Sequence, residues 1–473
     1  MATPFHFEHS VPFTPEASTE ILRQIPTLPG VFALRGADPA AEPYLTRAAD
    51  IRRRITRLLA PPDSQSKRLN LRGRVSTIEY TVTGSDFASL LLLYDASSAA
   101  FGPAQARKRL RLHPPYFLRL TMEHAHPRVY STNRLSKRAL AQTYGPFPSR
   151  AAAERYCDAA LDLFKLRRCH EDLEVSPSHP GCAYGEMKKC MAPCNTSCTA
   201  DEYAAEAHAV EAFFASHGDS MLAQIAEARD RASAEMEFEQ AAALHQQYEK
   251  VKAVAALASE LVRPIPQLRA VIVQPAAKSQ DPDAQEAAIF LLESGCILGP
   301  QPLSTLGVRA VKEQTSVGSS LYAQPLMLQA VPLDGEVTPI ESPELRAERT
   351  IATLTARTQP VTDLAETSAH LSLLRRWYYR PEKQRTGEIF FPNPDGVFPI
   401  RRILRGAARQ ALGEPTALAE TQRDQAPAAK VKILHEGRPD VERVVPVLTK
   451  RKKSPQPSDS VSFTQRSPHP APE

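Results

Sequence analysis

Four cysteines, Cys169, Cys182, Cys190 and Cys194, follow a C-x12-C-x7-C-x3-C spacing within 26 residues of a 473-residue chain. Thiolates are soft ligands, and four of them gathered by loops suit either zinc or an iron–sulfur cluster. Zinc sites commonly use close cysteine pairs on both sides of the metal, and here only Cys190 and Cys194 are that close, so the asymmetry leans towards a cluster with zinc left open. The plain alternative is a set of ordinary buried cysteines. It carries little weight for four cysteines separated by the chain-bending residues Pro180, Gly181 and Pro193. Of the seven cysteines, six crowd between Cys157 and Cys198, too local and too few for a secreted disulfide framework. Cys157 and Cys198 read as spares and Cys296 as a core residue.

The second group with chemical potential is basic. From Arg47 to Arg74 nine basic residues face two acidic ones, Asp50 and Asp63, and from Ala104 to Arg119 there are five basic residues and no acidic one. Between Asp201 and Glu260 the sign reverses, with twelve acidic residues against four basic. The amino-terminal part is therefore built for a polyanion such as DNA, with Arg52, Arg53, Arg107, Lys108, Arg109 and Arg111 as candidate phosphate contacts. For Arg52 to Arg54 a merely solvated helix face is an equal alternative on charge alone. The net charge of +5, with 42% hydrophobic and 23% charged residues, is an ordinary soluble balance. No apolar run approaches the ~20 residues of a membrane span, and Met1 to Ser10 lacks a signal-peptide pattern, so a cytoplasmic protein without a membrane partner is expected.

The elements that would position these residues give an α+β multidomain chain. Residues 1–25 read as a leader. A small α/β domain follows over 26–120, with a strand at Val31 to Leu34, an Arg-rich helix at Ala48 to Leu59, an alternating strand at Thr77 to Val82 and a helix at Phe87 to Tyr94. Residues 121–168 form a bridge with an amphipathic helix from Ala151 to Leu166, and the cysteine segment spans 169–198. The stretch 200–262, nearly free of Pro and Gly, predicts one or two long helices broken at Gly218. Residues 268–411 are an uncertain mixed region with strands at Arg269 to Gln274 and Ala288 to Leu292 and helix over 343–380. Residues 412–473, Pro-rich and basic, read as a disordered tail.

The cysteine region resembles that of the UvrC family, excinuclease components of bacterial nucleotide excision repair, with Ala192-Pro193-Cys194 standing where the family has Gly-Pro-Cys. Tyr144-Gly145-Pro146-Phe147-Pro148, leading through a helix into Arg167-Arg168-Cys169, is similar to the family's bridge. Met236-Glu237-Phe238-Glu239-Gln240-Ala241-Ala242-Ala243-Leu244 resembles the UVR motif, a helical hairpin. Leu28-Pro29-Gly30-Val31-Phe32, Tyr44-Leu45-Thr46-Arg47-Ala48 and Ile51-Arg52-Arg53-Arg54 resemble the motifs of a GIY-YIG nuclease head. The resemblance covers roughly residues 25–260 and identifies the chain as a divergent, C-terminally truncated member. It implies a GIY-YIG-like head, a 4Fe–4S cluster on Cys169, Cys182, Cys190 and Cys194, and a UVR-type arm that binds UvrB. Apart from the family, Phe238, Ala241, Ala242, Leu244, Tyr248 and Val251 lie near helical spacing with Glu239 beside them, which equally allows an intramolecular helix pair.

Phosphodiester hydrolysis needs an activated water, a metal ion and fixed cations on the phosphate. In the resemblance Tyr44, Arg47 and Arg54 hold catalytic positions. Leu93 falls where the family has its metal-binding Glu, and Phe32 where it has the first-motif Tyr. Thr46 replaces a glycine, and Pro103-Ala104-Gln105-Ala106 has lost the family's asparagine. Asp86 or Asp95 are the candidate substitutes, Asp95 lying about 200° round a helix from Leu93 and so pointing away. The acidic strand and helix-hairpin-helix repeats of the family's second nuclease half are not found. The expectation is a repair protein that binds damaged DNA together with a UvrB-like partner, its incision weakened or lost. A Mg-dependent nuclease making a single cut and a non-catalytic UvrB-binding module are the other two readings.

Overall fold

A computed structural model describes residues 5–38, 40–61, 69–170, 173–278, 285–308, 341–358, 363–381, 384–413, 429–435 and 438–447. It is mixed α and β throughout, in several small sheets. Residues 1–417 form one unit and 418–473 a second.

The head is an antiparallel sheet ordered β1-β4-β2-β3, from β1 (His9–Pro12), β2 (Gly30–Arg35), β3 (Tyr44–Ala48) and β4 (Thr77–Val82). Helix α1 (Ser18–Gln24) precedes β2, and α2 (Ile51–Leu58) follows β3. Ile51, Ile55 and Leu58 recur at helical spacing and lock α2 onto Phe32, Leu34 and Ile78 of the sheet. The Asp50 carboxylate accepts the Arg53 N–H at 2.8 Å and starts the helix. Gly30 is required by close packing: a Cβ there would meet the Thr81 carbonyl oxygen at 2.3 Å. Residues 9–25, expected as leader, belong to the head. β1 pairs along β4, and Phe13 and Ile25 enter the core. A four-residue edge strand carries too little periodicity to be read locally.

Helix α3 (Asp86–Phe101) is longer than the sequence pattern predicts, capped by Ser85 and ended by Gly102 at φ +81°. It is apolar nearly all round, which marks a buried helix. Phe87, Leu91 and Tyr94 join Phe290, Leu371, Leu374 and Trp377 in one hydrophobic core. The head and the carboxy-terminal sheet thus share a core, which the division into 26–120 and 268–411 does not anticipate. Helix α4 (Pro103–Arg109) follows.

The expected bridge is a folded layer. Strands β5 (Tyr116–Leu120), β6 (Val129–Thr132), β7 (Thr143–Phe147) and β8 (Arg263–Pro264) form a sheet ordered β6-β5-β7-β8, so the head's expected boundary at 120 cuts behind a strand of this second sheet. Helix α5 (Arg150–Leu161) covers it. After the one-turn α6 (Ala183–Glu186) comes the arm of α7 (Ala200–Ala215), α8 (Asp219–Ala234) and α9 (Phe238–Ala255). The break at Gly218 falls where expected, and a second separates α8 from α9 at residues 235–237. Phe213 and Phe214 of α7 pack on Phe164, Tyr144 and Tyr156. The Tyr203 hydroxyl donates to the Pro127 carbonyl at 2.9 Å and accepts the Arg167 N–H at 3.0 Å. The arm's root is therefore part of the middle layer.

The carboxy-terminal sheet runs β11-β10-β9-β12, all antiparallel, from β9 (Arg269–Pro275), β10 (Glu286–Glu293), β11 (Cys296–Ser304) and β12 (Glu388–Phe390). Ile272, Phe290 and Leu292 face the core shared with α3, whereas Val273, Ile289 and Leu291 face the other side. Both faces are covered, and the strands read accordingly as continuous apolar runs. Helix α10 (Pro343–Ala356) and α12 (Ile400–Leu412) lie on one face and α11 (Leu364–Tyr378) on the other. In the second unit, β13 (Ala429–His435) and β14 (Arg438–Val447) pair as an antiparallel hairpin where the sequence reading places a disordered tail. Val431, Ile433, Val441, Val444 and Val445 supply β-branched residues at these positions, a local signal outweighed in that reading by the surrounding Pro and Lys. The rest of the expected tail, Lys450 to Lys453 included, lies outside the described residues. Among the described residues no helix is long and apolar enough to cross a membrane.

Candidate nucleic-acid interface and cysteine site

The head presents a groove lined by Arg47, Asp50, Arg52, Arg53, Arg54 and Arg57. Strand β3 and helix α2 set its two walls. Tyr44 and Arg54, expected together, are together: the Arg54 guanidinium donates to the Tyr44 hydroxyl at 3.4 Å. Arg47 lines the same groove and pairs with Asp86 at the start of α3. Asp86 also pairs with Arg380, at 2.8 Å. Arg53 is exposed on the groove. Arg52 lines the groove, but two of its three guanidinium nitrogens are engaged within the head. Its guanidinium donates to the Ile25 carbonyl and, at 2.8 Å, to that of Arg23, tying α2 to the end of α1. Arg52→Ala should therefore cost the head about 2 kcal/mol in a urea melt, two charge-assisted bonds being lost, beyond any change in DNA binding.

Phe32 is fully buried on β2 and Leu93 is buried on α3. Neither position offers oxygen to a metal or a water. Asp95 faces away from the groove, beside Glu366 of α11; burial and then the Glu366 carboxylate push it up to about 7. A carboxyl raised in this way holds a proton in the folded state that the unfolded chain has already lost. It stabilises most below its ordinary pKa of 3.8, and the contribution fades as pH climbs through about 7. Asp95→Asn should accordingly raise the urea midpoint at about pH 8 and leave it nearly unchanged at about pH 4.

The basic residues around α4 divide. Lys108 and Arg111 are exposed. Arg109 stacks on the Phe101 ring, 3.7 Å from its centroid, and pairs with Glu42 at 2.7 Å. Arg107 turns inward beside Tyr94. The sequence reading missed Arg376 and Arg380, which bring two more guanidinium groups to the head's edge, and Arg375, which donates to the Pro148 carbonyl of the middle layer. Their only local signal is the run Arg375-Arg376-Trp377-Tyr378-Tyr379-Arg380.

In the cysteine segment Cys190 and Cys194 are buried, while Cys169, Cys182 and Cys198 are half-buried. The Ala192 N–H donates to the Cys190 sulfur at 3.3 Å and the Arg167 guanidinium to that of Cys169 at 3.6 Å. Burial pushes the Cys190 thiol up to about 11; the Ala192 N–H pulls it back, and Cys182, Cys169 and Cys194 each push it further. Cys190 thus lies within electrostatic reach of the other three cysteines. Lys188, Ala192 and Thr196 all take positive φ, between 51° and 59°, strain that the surrounding loop must offset. Among the described residues no three His, Cys, Asp or Glu side chains stand in a ready ligand shell. The donor types suit a soft metal centre, and loading it would require the loops to draw in. Burial pushes the Cys157 thiol up to about 12, as for a core residue. Cys296 sits against Thr367.

Residues 116–213, from β5 to near the end of α7, match the family model of the UvrC/Cho excinuclease middle domain. Over this layer the chain resembles the UvrC family. It is 28% identical over 234 residues to UvrABC system protein C of Haemophilus ducreyi, covering 49% of this chain and 37% of that one. The protein of the same description from Idiomarina loihiensis is 26% identical over 231 residues, with 49% and 37% covered. That of Desulforudis audaxviator is 27% identical over 293 residues, with 61% and 45% covered. The chain spans less than half the length of these relatives. No solved structure matches it. The matched residues contain all four cysteines, so the metal question concerns the layer of the chain that resembles the UvrC/Cho middle domain.

Proposed function

We propose that this UvrC-like chain serves nucleotide excision repair by holding damaged DNA on its head while a UvrB-like protein docks on its arm, with incision weakened or lost. One observation carries the last part. The position resembling the metal-binding Glu is the buried Leu93, and the acidic groups at the groove are already engaged, Asp50 in capping α2 and Asp86 with Arg47 and Arg380. Cations for phosphate remain at Arg53 and Arg54, and Tyr44 remains beside Arg54, but no described carboxylate there is free to hold a magnesium ion. The test is a nicking assay on damaged duplex with magnesium and UvrB. Absent nicking alongside salt-dependent binding supports the proposal; nicking that is lost on Arg54→Ala rejects it in favour of an active single-cut nuclease.

For the arm, the supporting feature is its tip. Met236 is 76% exposed and Phe238 68%, beside Glu235, Glu237 and Glu239. Large apolar side chains left in water at a hairpin end favour a partner surface. Ala242 is exposed as well, Ala241, Leu244 and Tyr248 are half-buried, and Val251 is fully buried in the middle core. The docking edge is thus the tip and the Phe238–Glu239–Ala242 side, the inner residues serving the hairpin itself. Phe238→Asp should abolish capture by UvrB while duplex affinity stays as it was, and retained capture rejects the assignment. For the cysteines, we propose that Cys169, Cys182, Cys190 and Cys194 hold a 4Fe–4S cluster in a structural role, zinc being the alternative that metal analysis distinguishes.

A further inference from the structure

We infer that Arg380, just past the end of α11, joins Arg47 of the head in a clamp for one backbone phosphate of duplex DNA, with Arg376 adding positive charge beside it and the Asp86 carboxylate standing in for that phosphate when DNA is absent. The clamp rests on the DNA-binding reading above and extends it to residues more than three hundred positions beyond the nuclease-like motifs.

Asp86 accepts from Arg47 with one oxygen and pairs with Arg380 through the other, at 2.8 Å. This is the two-oxygen geometry in which guanidinium groups also take a phosphodiester. Arg376 is held in place from behind, donating to the Leu110 carbonyl at 3.1 Å and to that of Arg111. Those carbonyls close the end of α4, so the cluster continues into the exposed Lys108 and Arg111. The charges that act on Arg376 are all arginines, namely Arg375, Arg47 and Arg380, and burial together with this crowding lowers its proton affinity. Arg47 is lowered in the same way by burial and then by Arg380. Half-buried guanidinium groups that repel one another are stabilised by an entering anion. The side chains of Arg47, Asp86 and Arg380 keep 38%, 42% and 35% of their surface in water, so a phosphate can reach them. A free phosphate would satisfy the clamp alone; a duplex also engages the α4 residues beside it, and the proposal commits to the duplex.

The experiment measures anisotropy of a labelled duplex against salt, using the full chain and the variants Arg380→Gln and Asp86→Asn, with thermal melts to show that each is folded. Arg380→Gln should weaken binding about fivefold and lower the log–log salt slope by about 1. Asp86→Asn should act in the opposite direction, tightening binding about threefold or more, because it frees two guanidinium groups and removes a repelling charge. Ion pairs with only a structural role would make both variants weaker, and that result overturns the clamp. Two variants with wild-type slopes, in a protein that binds duplex, overturn the clamp and leave the DNA-binding reading standing. A wild-type protein that binds no duplex overturns that reading and the clamp with it. Arg380→Gln decides by itself should Asp86→Asn fail to fold.

Discussion

Phe290→Ala should destabilise the head and the carboxy-terminal sheet together, by about 3–5 kcal/mol. Phe290 is fully buried on β10 and meets Phe87 of α3 edge to face at 5.4 Å; Phe87 in turn lies 5.0 Å from the Trp377 ring. Truncation removes a large apolar side chain, leaves a cavity, and deletes an aromatic contact that bridges two parts of the chain. Trp377 is the single tryptophan of the chain. Its fluorescence therefore reports on this core without competition, while duplex binding reports on the head. The expected result is that urea shifts both signals to lower midpoints in coincidence. If the tryptophan signal shifts alone, with duplex binding keeping its wild-type midpoint, the shared core is not what holds the two parts together.

The second large effect concerns the cysteines. Cys190→Ser should abolish iron–sulfur absorption after anaerobic reconstitution and open residues 169–198 to proteolysis, while the Trp377 core keeps its midpoint. The argument is energetic. Three left-handed non-glycine residues within the loop each carry strain on the order of 1–3 kcal/mol, and the metal centre proposed above would supply offsetting free energy on binding. Serine preserves shape and one hydrogen bond from Ala192 but is a poor ligand for iron. The two signals separate the outcomes. Lost absorption with a protease-resistant loop would mean that the cluster is bound but does not hold the loop. A reconstituted wild type that binds only zinc would overturn the cluster and keep the site.

The local periodicities were readable from the chain in detail. The strand Thr77–Val82 falls where its alternation places it, α2 follows its isoleucine and leucine spacing, and the arm breaks at Gly218. Each is determined by residues within a turn or a strand length of one another. The spacing of the four cysteines is likewise a property of a single short segment. Arg54 beside Tyr44 was within reach because β3 runs almost directly into α2.

What the sequence could not decide is where distant surfaces meet. Arg52 has the same residue type as Arg53 and Arg54, yet its helical position turns it towards two carbonyls at the end of α1, and only the packing of α1 reveals that. Helix α3 is apolar on nearly every side, so its pattern names no facing partner; the tertiary structure placed it between the head and the sheet of β9 to β11. The same packing carries Arg376 and Arg380 to Arg47, a meeting set by the shared core and by no local signal. The sequence by itself determined the spacing of the four cysteines, the helical arm and an apolar side chain at Leu93. The tertiary structure alone decided which charges are spent inside the fold and which still face a phosphate, because charge is a property of a residue and its availability a property of what packs against it.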